Sequence, residues 1–300
     1  MRNRNLASRL HSLKCVARVS GATLLLLLFV ALPAQAKSFL WQVEKGGNTC
    51  YLAGSVHFAD EGFYPLAPAF EQAFASSQAL VVEADVTSNL EGTLKAMARY
   101  ATNEPGVTLE QLLSDKTKAA LDKDKIPWKQ FLLFRPWYMV MSLQGQKAIQ
   151  MGMRPDLGVD VHFIGLAKER GLPVKELESV EQQFQLLSDM ERLDVDTYVR
   201  LSVLELHQME RSITKLREIW LSGDARGLNQ LLFGRLVMNV IFKPWHERLY
   251  YQRNERMAEK ILGYLETGQT HFIIAGAGHV VGERGLVRLL ADQGCTLTQL

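Results

Sequence analysis

Residues 51–57 read YLAGSVH and residues 272–279 read FIIAGAGH, so an apolar run that ends in Gly-x-x-His occurs twice in the chain. In each copy a β-prone stretch leads into glycine, which permits a sharp turn of the backbone. The imidazoles of His57 and His279 should therefore lie at the carboxyl ends of two strands, where open α/β sheets bind ligands. A single histidine of this kind is usually a packing or surface residue, but two copies near opposite ends of the chain indicate one paired site.

The rest of the pattern predicts an α/β segment at each end of the chain, with a long helical section over about 89–268 between them. The predicted strands are Phe39–Val43, Asn48–Ala53, Ala79–Val86, Leu172–Glu178, Thr270–Ala275 and Cys295–Leu300. Neither end alone has enough strands for a stable core. We therefore predict an α/β (α+β) fold, in which strands from both chain ends form one central mixed β-sheet.

The first 36 residues have the pattern of a secretory signal peptide: a basic leader, an apolar core over Ala22–Leu32 and small residues at Ala34-Gln35-Ala36 for cleavage. The mature protein should then begin at Lys37 and be periplasmic or secreted. The apolar core is too short for a membrane span, and no later stretch approaches about 20 apolar residues. Residues 37–300 contain no Pro/Ser/Gly-rich linker, which predicts a single domain.

The charge of the predicted mature chain argues against nucleic-acid binding. The whole chain has 34 Lys and Arg residues against 32 Asp and Glu residues, and the leader holds five of the basic residues but no acidic ones. The mature chain therefore has a net charge of about −3, and it contains no basic run with interleaved aromatic residues.

Two cysteines remain after the predicted cleavage, Cys50 and Cys295, in a compartment that favours oxidation. The sequence leaves open whether they form a disulfide or remain two separate buried thiols. A disulfide would close a long loop and stabilise the protein by several kcal/mol in the chain-entropy account. Two sulfurs are too few for a zinc site of four thiolates.

Two carboxylates, Glu83 and Asp85, lie at the carboxyl end of the predicted strand Ala79–Val86. Because side chains alternate along a strand, Glu83 and Asp85 should share one face. Two imidazoles and a carboxylate match a hydrolytic metal site, which needs about three protein ligands and an open position for water. A His and Glu pair could also act as general acid and base without a metal, and the residues alone leave both alternatives open.

Three other motifs are incomplete. The His-Glu pair at 246–247 begins like a zincin helix, but Tyr250 stands where the second histidine would be. Residues 276–278 begin like a dinucleotide fingerprint, but Val281 occupies the position of its third glycine. The run GSVHF at 54–58 lacks the Gly-x-Ser-x-Gly pattern of an α/β hydrolase.

Six short motifs follow one another in a specific order along the chain. They are LAGSVH at 52–57, LVVEAD at 80–85, RPW at 135–137, GVD at 158–160, QRN at 252–254 and GAGHVVG at 276–282. In this order they resemble the TraB/GumN family, whose members are similar to the TIKI metalloproteases. The resemblance covers nearly all of the mature chain and implies a divalent-metal peptidase, with manganese or cobalt favoured over zinc. Carried over by position, it implies that His57, Glu83 and His279 are both the metal ligands and catalytic residues.

The resemblance also implies a catalytic role for Arg253 in binding an anion or a carbonyl, with a surface ion pair as the alternative. Asp160 would be either a partner of a ligating residue or a helix cap, and capping is the favoured interpretation. The predicted function is a periplasmic, metal-dependent, peptidase-like hydrolase that acts on a peptide or a small molecule. The alternative is a non-catalytic protein that binds haem, a peptide or a signalling ligand in the same cleft.

Overall fold

The computed structural model describes residues 37–86, 90–190, 194–234 and 243–300, and the predicted signal peptide over 1–36 lies outside the described residues. The strands in this part of the chain are β1 Leu40–Lys45, β2 Asn48–Ser55, β3 Ala79–Val82, β4 Val174–Glu176, β5 His271–Gly276 and β6 Thr296–Gln299. They form one sheet in the order β4-β3-β5-β2-β1-β6. Strands from both ends of the chain therefore form one mixed sheet, and the predicted fold class is confirmed.

The centre of the sheet is parallel. Strand β5 pairs in parallel with β2 on one side and with β3 on the other, and Ser55 lies opposite Gly276. Strand β4 is parallel to β3, whereas β1 is antiparallel to both β2 and β6. The β1–β2 hairpin turns at Gly46 and Gly47, whose φ angles of 59° and 86° suit glycine. The carboxyl ends of β2, β5, β3 and β4 consequently meet at one edge of the sheet.

Helices cover most of the described chain between the strands. They are α1 Pro68–Ala75, α2 Leu90–Ala101, α3 Leu109–Leu112, α4 Asp115–Lys123, α5 Pro136–Gln150, α6 Val159–Arg170, α7 Val180–Met190, α8 Val195–Leu221, α9 Ala225–Phe233, α10 Lys243–His246, α11 Gln252–Glu266, α12 Ala277–Val280 and α13 Leu286–Asp292. A π-helical turn over Glu247–Tyr251 joins α10 to α11. Local signals set two boundaries: Pro136 begins α5, and Gly171 ends α6 in the left-handed conformation.

The described residues contain two hydrophobic clusters. The larger one covers the sheet and includes Phe272 and Leu52, and the smaller one lies among α3, α4, α5 and α8 and includes Trp128. Helix α8 joins the clusters, because Val199 packs in the smaller one and Trp220 in the larger. No helix within the described ranges is long and apolar enough to cross a membrane. The single domain over residues 37–300 remains a prediction.

Both remaining cysteines lie near the β1 side of the sheet. Cys50 is on β2, Cys295 precedes β6, and β1 lies between these strands. Both thiols are buried and free in the structure. Burial is the main cause that raises the pKa of each thiol, and the disulfide between them remains a prediction.

Candidate functional site

Three predicted site residues follow neighbouring strands and meet at one edge of the sheet. His57 follows β2, Glu83 comes directly after β3, and His279 lies in the short helix α12 after β5. A Cβ atom built on Gly276 would lie 3.4 Å from Glu83 Oε2, 3.9 Å from His57 Nε2 and 3.6 Å from His279 Cδ2. Folding therefore brings the two imidazoles and the carboxylate around one point, which glycine leaves open.

His57 is held by a carboxylate on α6. Its Nδ1 lies 2.7 Å from Asp160 Oδ2, so the Nδ1–H donates to the carboxylate and Nε2 faces the point beside Gly276. The hydrogen bond with Asp160 raises the pKa of His57 to about 9. The His57 side chain is 60% exposed, so this imidazole is the one that an incoming molecule can reach directly.

His279 is buried, and the neutral amide side chain of Asn254 holds its ring. The Asn254 amide donates through Nδ2 to the Arg284 carbonyl over 2.7 Å, so its Oδ1 faces His279 Nδ1 at 2.6 Å and accepts from it. His279 Nε2 then points towards Glu83 Oε1, 3.8 Å away. Burial lowers the pKa of His279 to about 4, against the opposing charge of Glu83.

Glu83 is held from three sides. Its Oε1 accepts hydrogen bonds from Arg253 and from Gln183 Nε2, the latter at 2.8 Å, and its Oε2 accepts from the Gly276 N–H at 3.0 Å. Burial alone would raise the pKa of Glu83. The charges of His279 and Arg253 outweigh burial and, with smaller contributions from His57 and the Gly276 N–H, hold the pKa at about 2. Glu83 is therefore ionised at neutral pH.

Arg253 lies between two buried carboxylates rather than in a surface ion pair. Its Nε donates to Glu178 Oε2 over 2.8 Å, and its guanidinium also contacts Glu83. Glu178 has a second cationic neighbour, Arg256, at 3.7 Å. The alternative of a helix-surface ion pair for Arg253 is therefore wrong, and its first role in this structure is to fix Glu83.

Asp85 and Asp160 differ from their sequence interpretations. Strand β3 ends at Val82, before both Glu83 and Asp85. The prediction that these two side chains share one face of the strand is therefore wrong. Asp85 is buried, and its backbone N–H donates to Glu176 over 2.6 Å. The capping interpretation of Asp160 is wrong, because Gly158 is the N-cap of α6 and Asp160 contacts His57.

The sequence interpretation missed the roles of Glu178, Gln183 and Asn254. Glu178 follows β4, which runs parallel beside β3, so the rule that found Glu83 could also have found Glu178. Asn254 lies next to Arg253 in the quoted QRN motif, but nothing in that motif indicates that it contacts His279. Gln183 comes from α7, and no local pattern indicates its contact with Glu83.

The imidazoles of His57 and His279 and the carboxylate of Glu83 are side-chain types that commonly bind a divalent metal. Both histidines use Nδ1 for an anchoring hydrogen bond and keep Nε2 for another partner, which is the usual arrangement of metal-ligating imidazoles. A carboxylate beside two imidazoles is a donor set of hydrolytic metal sites. Within the described ranges, however, no group of three or more His, Cys, Asp or Glu side chains is arranged to hold a metal ion.

Comparison with known proteins agrees with the order of the motifs. The chain is 24% identical over 245 residues to "Uncharacterized protein YbaP" of Escherichia coli (strain K12), which covers 82% of this chain and 89% of that protein. It is 31% identical over 81 residues to "Metalloprotease TIKI homolog" of Amphimedon queenslandica, which covers 26% of this chain and 13% of that protein. It is 20% identical over 311 residues to "Metalloprotease TIKI2" of Danio rerio, which covers 86% of this chain and 60% of that protein.

No solved structure matches the chain. The sequence profile of the TraB/PrgY/gumN family matches residues 39–299, a range that includes every strand of the sheet and all the residues that surround Glu83. The chain therefore belongs to the TraB/PrgY/gumN family.

Proposed function

We propose that the protein is a divalent-metal-dependent hydrolase of the peptidase type, acting in the periplasm or outside the cell. The convergence of His57, Glu83 and His279 beside Gly276 carries the proposal. The similarity to two proteins named as metalloproteases supports it. Manganese or cobalt is proposed in preference to zinc, as the sequence resemblance implies.

His57, Glu83 and His279 would hold the metal, and a metal bound there would polarise a carbonyl and lower the pKa of a bound water. The chain's own residues prepare the site for that chemistry. Asp160 and Asn254 fix the two imidazoles in one orientation, and Arg253 keeps Glu83 ionised. The rings therefore need no reorientation when a ligand arrives, and this preorganisation lowers the free-energy cost of binding.

The substrate would enter from the side of His57, because the His57 ring is exposed whereas His279 is buried. A peptide or ester carbonyl placed beside Gly276 would meet His57, Glu83 and His279 together.

The test combines metal binding and peptide cleavage. We expect the purified protein to bind Mn²⁺ or Co²⁺ in calorimetry and to cleave members of a peptide library, with products identified by mass spectrometry. His57→Ala and His279→Ala should abolish both properties, because each removes an imidazole from the proposed ligand set. The matched control is His207→Ala, which changes an exposed histidine on α8.

Two results would overturn the proposal. One is a protein that binds no divalent metal, and the other is cleavage that persists in both histidine variants. A haem absorption shift on addition of hemin, lost in His57→Ala, would instead favour the binding-protein alternative.

A further inference from the structure

Tyr250 lies in the π-helical turn Glu247–Tyr251, directly before the helix that carries Arg253 and Asn254. The Gln252 N–H donates to the Glu247 carbonyl, a bond over five residues that defines the turn. Single π-helical turns of this kind insert one residue into a helix and occur frequently at functional sites. This local distortion sets the position of Tyr250 relative to α11.

Tyr250 shares a helix face with two residues that contact the site. Residues three and four positions apart lie on one face, so Tyr250 aligns with Arg253 and Asn254, which contact Glu83 and His279 respectively. The rings of Tyr250 and His279 lie 5.2 Å apart between centroids at 47°. The phenol therefore packs directly against a proposed metal-ligating imidazole.

Gly278 makes room for the phenol. A Cβ atom on Gly278 would lie 2.9 Å from Tyr250 Cε1 and 3.5 Å from its hydroxyl oxygen. The first of these distances is too short for any side chain at position 278. The glycine before His279 thus lets the Tyr250 ring, with its hydroxyl, approach the backbone of α12 itself.

The Tyr250 hydroxyl has no hydrogen-bond partner among the described residues, although the ring is partly buried. A phenol is ordinarily protonated at neutral pH, so Tyr250 has one donor O–H available. The Tyr250 ring packs against Phe233 and His246 on one side and against His279 of the candidate site on the other, and the charges of Glu83 and Arg253 are also nearby.

We propose that Tyr250 is a catalytic residue whose O–H donates a hydrogen bond to the carbonyl oxygen of the substrate as that oxygen gains negative charge. This inference rests on the proposed hydrolase function. Water adds through its oxygen to the carbonyl carbon, and the π electron pair moves to the carbonyl oxygen. When the C=O bond re-forms, the C–N bond breaks and the leaving nitrogen takes one proton of the water. Tyr250 keeps its own proton throughout and stabilises the intermediate oxyanion.

The test uses methylphosphonate, whose tetrahedral anionic oxygens resemble that intermediate. We expect Tyr250→Phe to weaken methylphosphonate binding by about tenfold in calorimetry, with or without Mn²⁺, because the variant loses a hydrogen bond to a charged group. Tyr251→Phe is the matched control in the same π turn, where the ring packs against Arg284, and it should bind as the wild type does. On any peptide that the wild type cleaves, Tyr250→Phe should lower kcat by about 100-fold and leave KM within about twofold.

The outcomes separate this inference from the proposed function. Tyr250→Phe that binds methylphosphonate as tightly as the wild type would overturn the inference, and so would a wild-type protein that does not bind the probe. If Tyr250→Phe loses probe binding while the wild type cleaves no peptide, the hydrolase proposal and the catalytic role of Tyr250 both fail, and the hydroxyl is left as a donor to an anionic oxygen of a bound ligand.

Discussion

Replacing Arg253 by methionine should lower the free energy of unfolding by about 3 kcal/mol at pH 7, because two carboxylates would remain in the interior without their shared cation. The side chains of Arg253, Glu83 and Glu178 are only 9%, 12% and 6% exposed. Methionine keeps much of the length and apolar contact of the arginine stem. The substitution therefore removes charge and hydrogen bonds more than it removes packing.

The expected loss of stability agrees with two independent magnitudes. Breaking a buried ion pair by removing one partner typically costs about 3–5 kcal/mol. Independently, the pKa of Glu83 is about 2 instead of the usual 4.5, and a difference of this size corresponds to about 3 kcal/mol of stability at neutral pH. His279 and the Gly276 N–H contribute to that lowered pKa, so Arg253 accounts for part of the second figure.

The sign of the pH dependence follows from the direction of the shift. A carboxylate with a lowered folded-state pKa stabilises the protein above its unfolded pKa near 4.5, and that stability is lost as the pH falls through about 2. In Arg253→Met the buried Glu83 carboxylate loses its cation, so protonation of Glu83 on acidification relieves part of the lost stability. The stability difference between wild type and variant should therefore narrow from pH 7 to pH 4.

Urea denaturation followed by circular dichroism measures the effect, with a chelator present so that bound metal does not contribute. Arg256→Met is the matched control, since Arg256 is 57% exposed and lies 3.7 Å from Glu178. It should change stability by less than about 0.5 kcal/mol. The double variant Glu178→Gln with Arg253→Met should recover part of the loss. A loss below about 1 kcal/mol in Arg253→Met, or a difference that grows on acidification, would refute the reasoning.

Three further outcomes follow from buried polar groups. Burial lowers the pKa of His246 to about 4, so this residue binds fewer protons in the folded protein than in the unfolded chain between pH 4 and 6.5. Its contribution to the free energy of unfolding should fall on acidification across that window by about 3 kcal/mol. His246→Gln should therefore reduce the pH dependence measured in urea titrations, and the buried His279 should account for a remaining part of it; an unchanged pH dependence in His246→Gln would contradict this. Ser55→Ala should leave the free energy of unfolding unchanged or raise it, because the buried hydroxyl has no hydrogen-bond partner among the described residues. A decrease of more than about 1 kcal/mol in the free energy of unfolding would contradict this. Protein exported to an oxidising compartment should show no free thiol in a denaturing assay if Cys50 and Cys295 are joined, and two reactive thiols would rule out the disulfide.

The sequence was sufficient to predict which strand ends meet, because that part of the site depends on local patterns. Alternating and apolar runs predicted five of the strands closely, and the rule that ligands lie at the carboxyl ends of parallel strands brought His57, Glu83 and His279 together. The strand that carries Glu83 ended earlier than predicted, at Val82. The prediction that Glu83 and Asp85 share one strand face was therefore wrong, whereas Glu83 still lies at the carboxyl end of this strand.

The contacts that orient these side chains could not be predicted from local sequence. Gln183 reaches Glu83 across 100 residues and Arg253 across 170, so both contacts depend on how separate helices pack against the sheet edge. The π turn that places Tyr250 is also set by packing, since residues 247–251 have no proline or glycine that would indicate a distortion. Sheet topology follows from patterns in the chain, whereas the orientation of the site follows from tertiary contacts between helices.

This division of roles predicts the effect of removing one anchor while the sheet stays intact. Asp160→Ala deletes the hydrogen bond to His57 but changes no strand residue, so the fold should persist while the exposed imidazole gains rotamer freedom. Loss of the group behind a ligating histidine typically weakens metal affinity by about 10–100-fold, and we expect that range for Mn²⁺ binding measured by calorimetry. Asp156→Ala is the matched control, because Asp156 is exposed and pairs with Arg154 instead. Asp160 on α6 can affect metal binding only through its contact with His57. If Asp160→Ala binds Mn²⁺ as tightly as the wild type, or if Asp156→Ala weakens binding equally, that contact does not position a metal ligand.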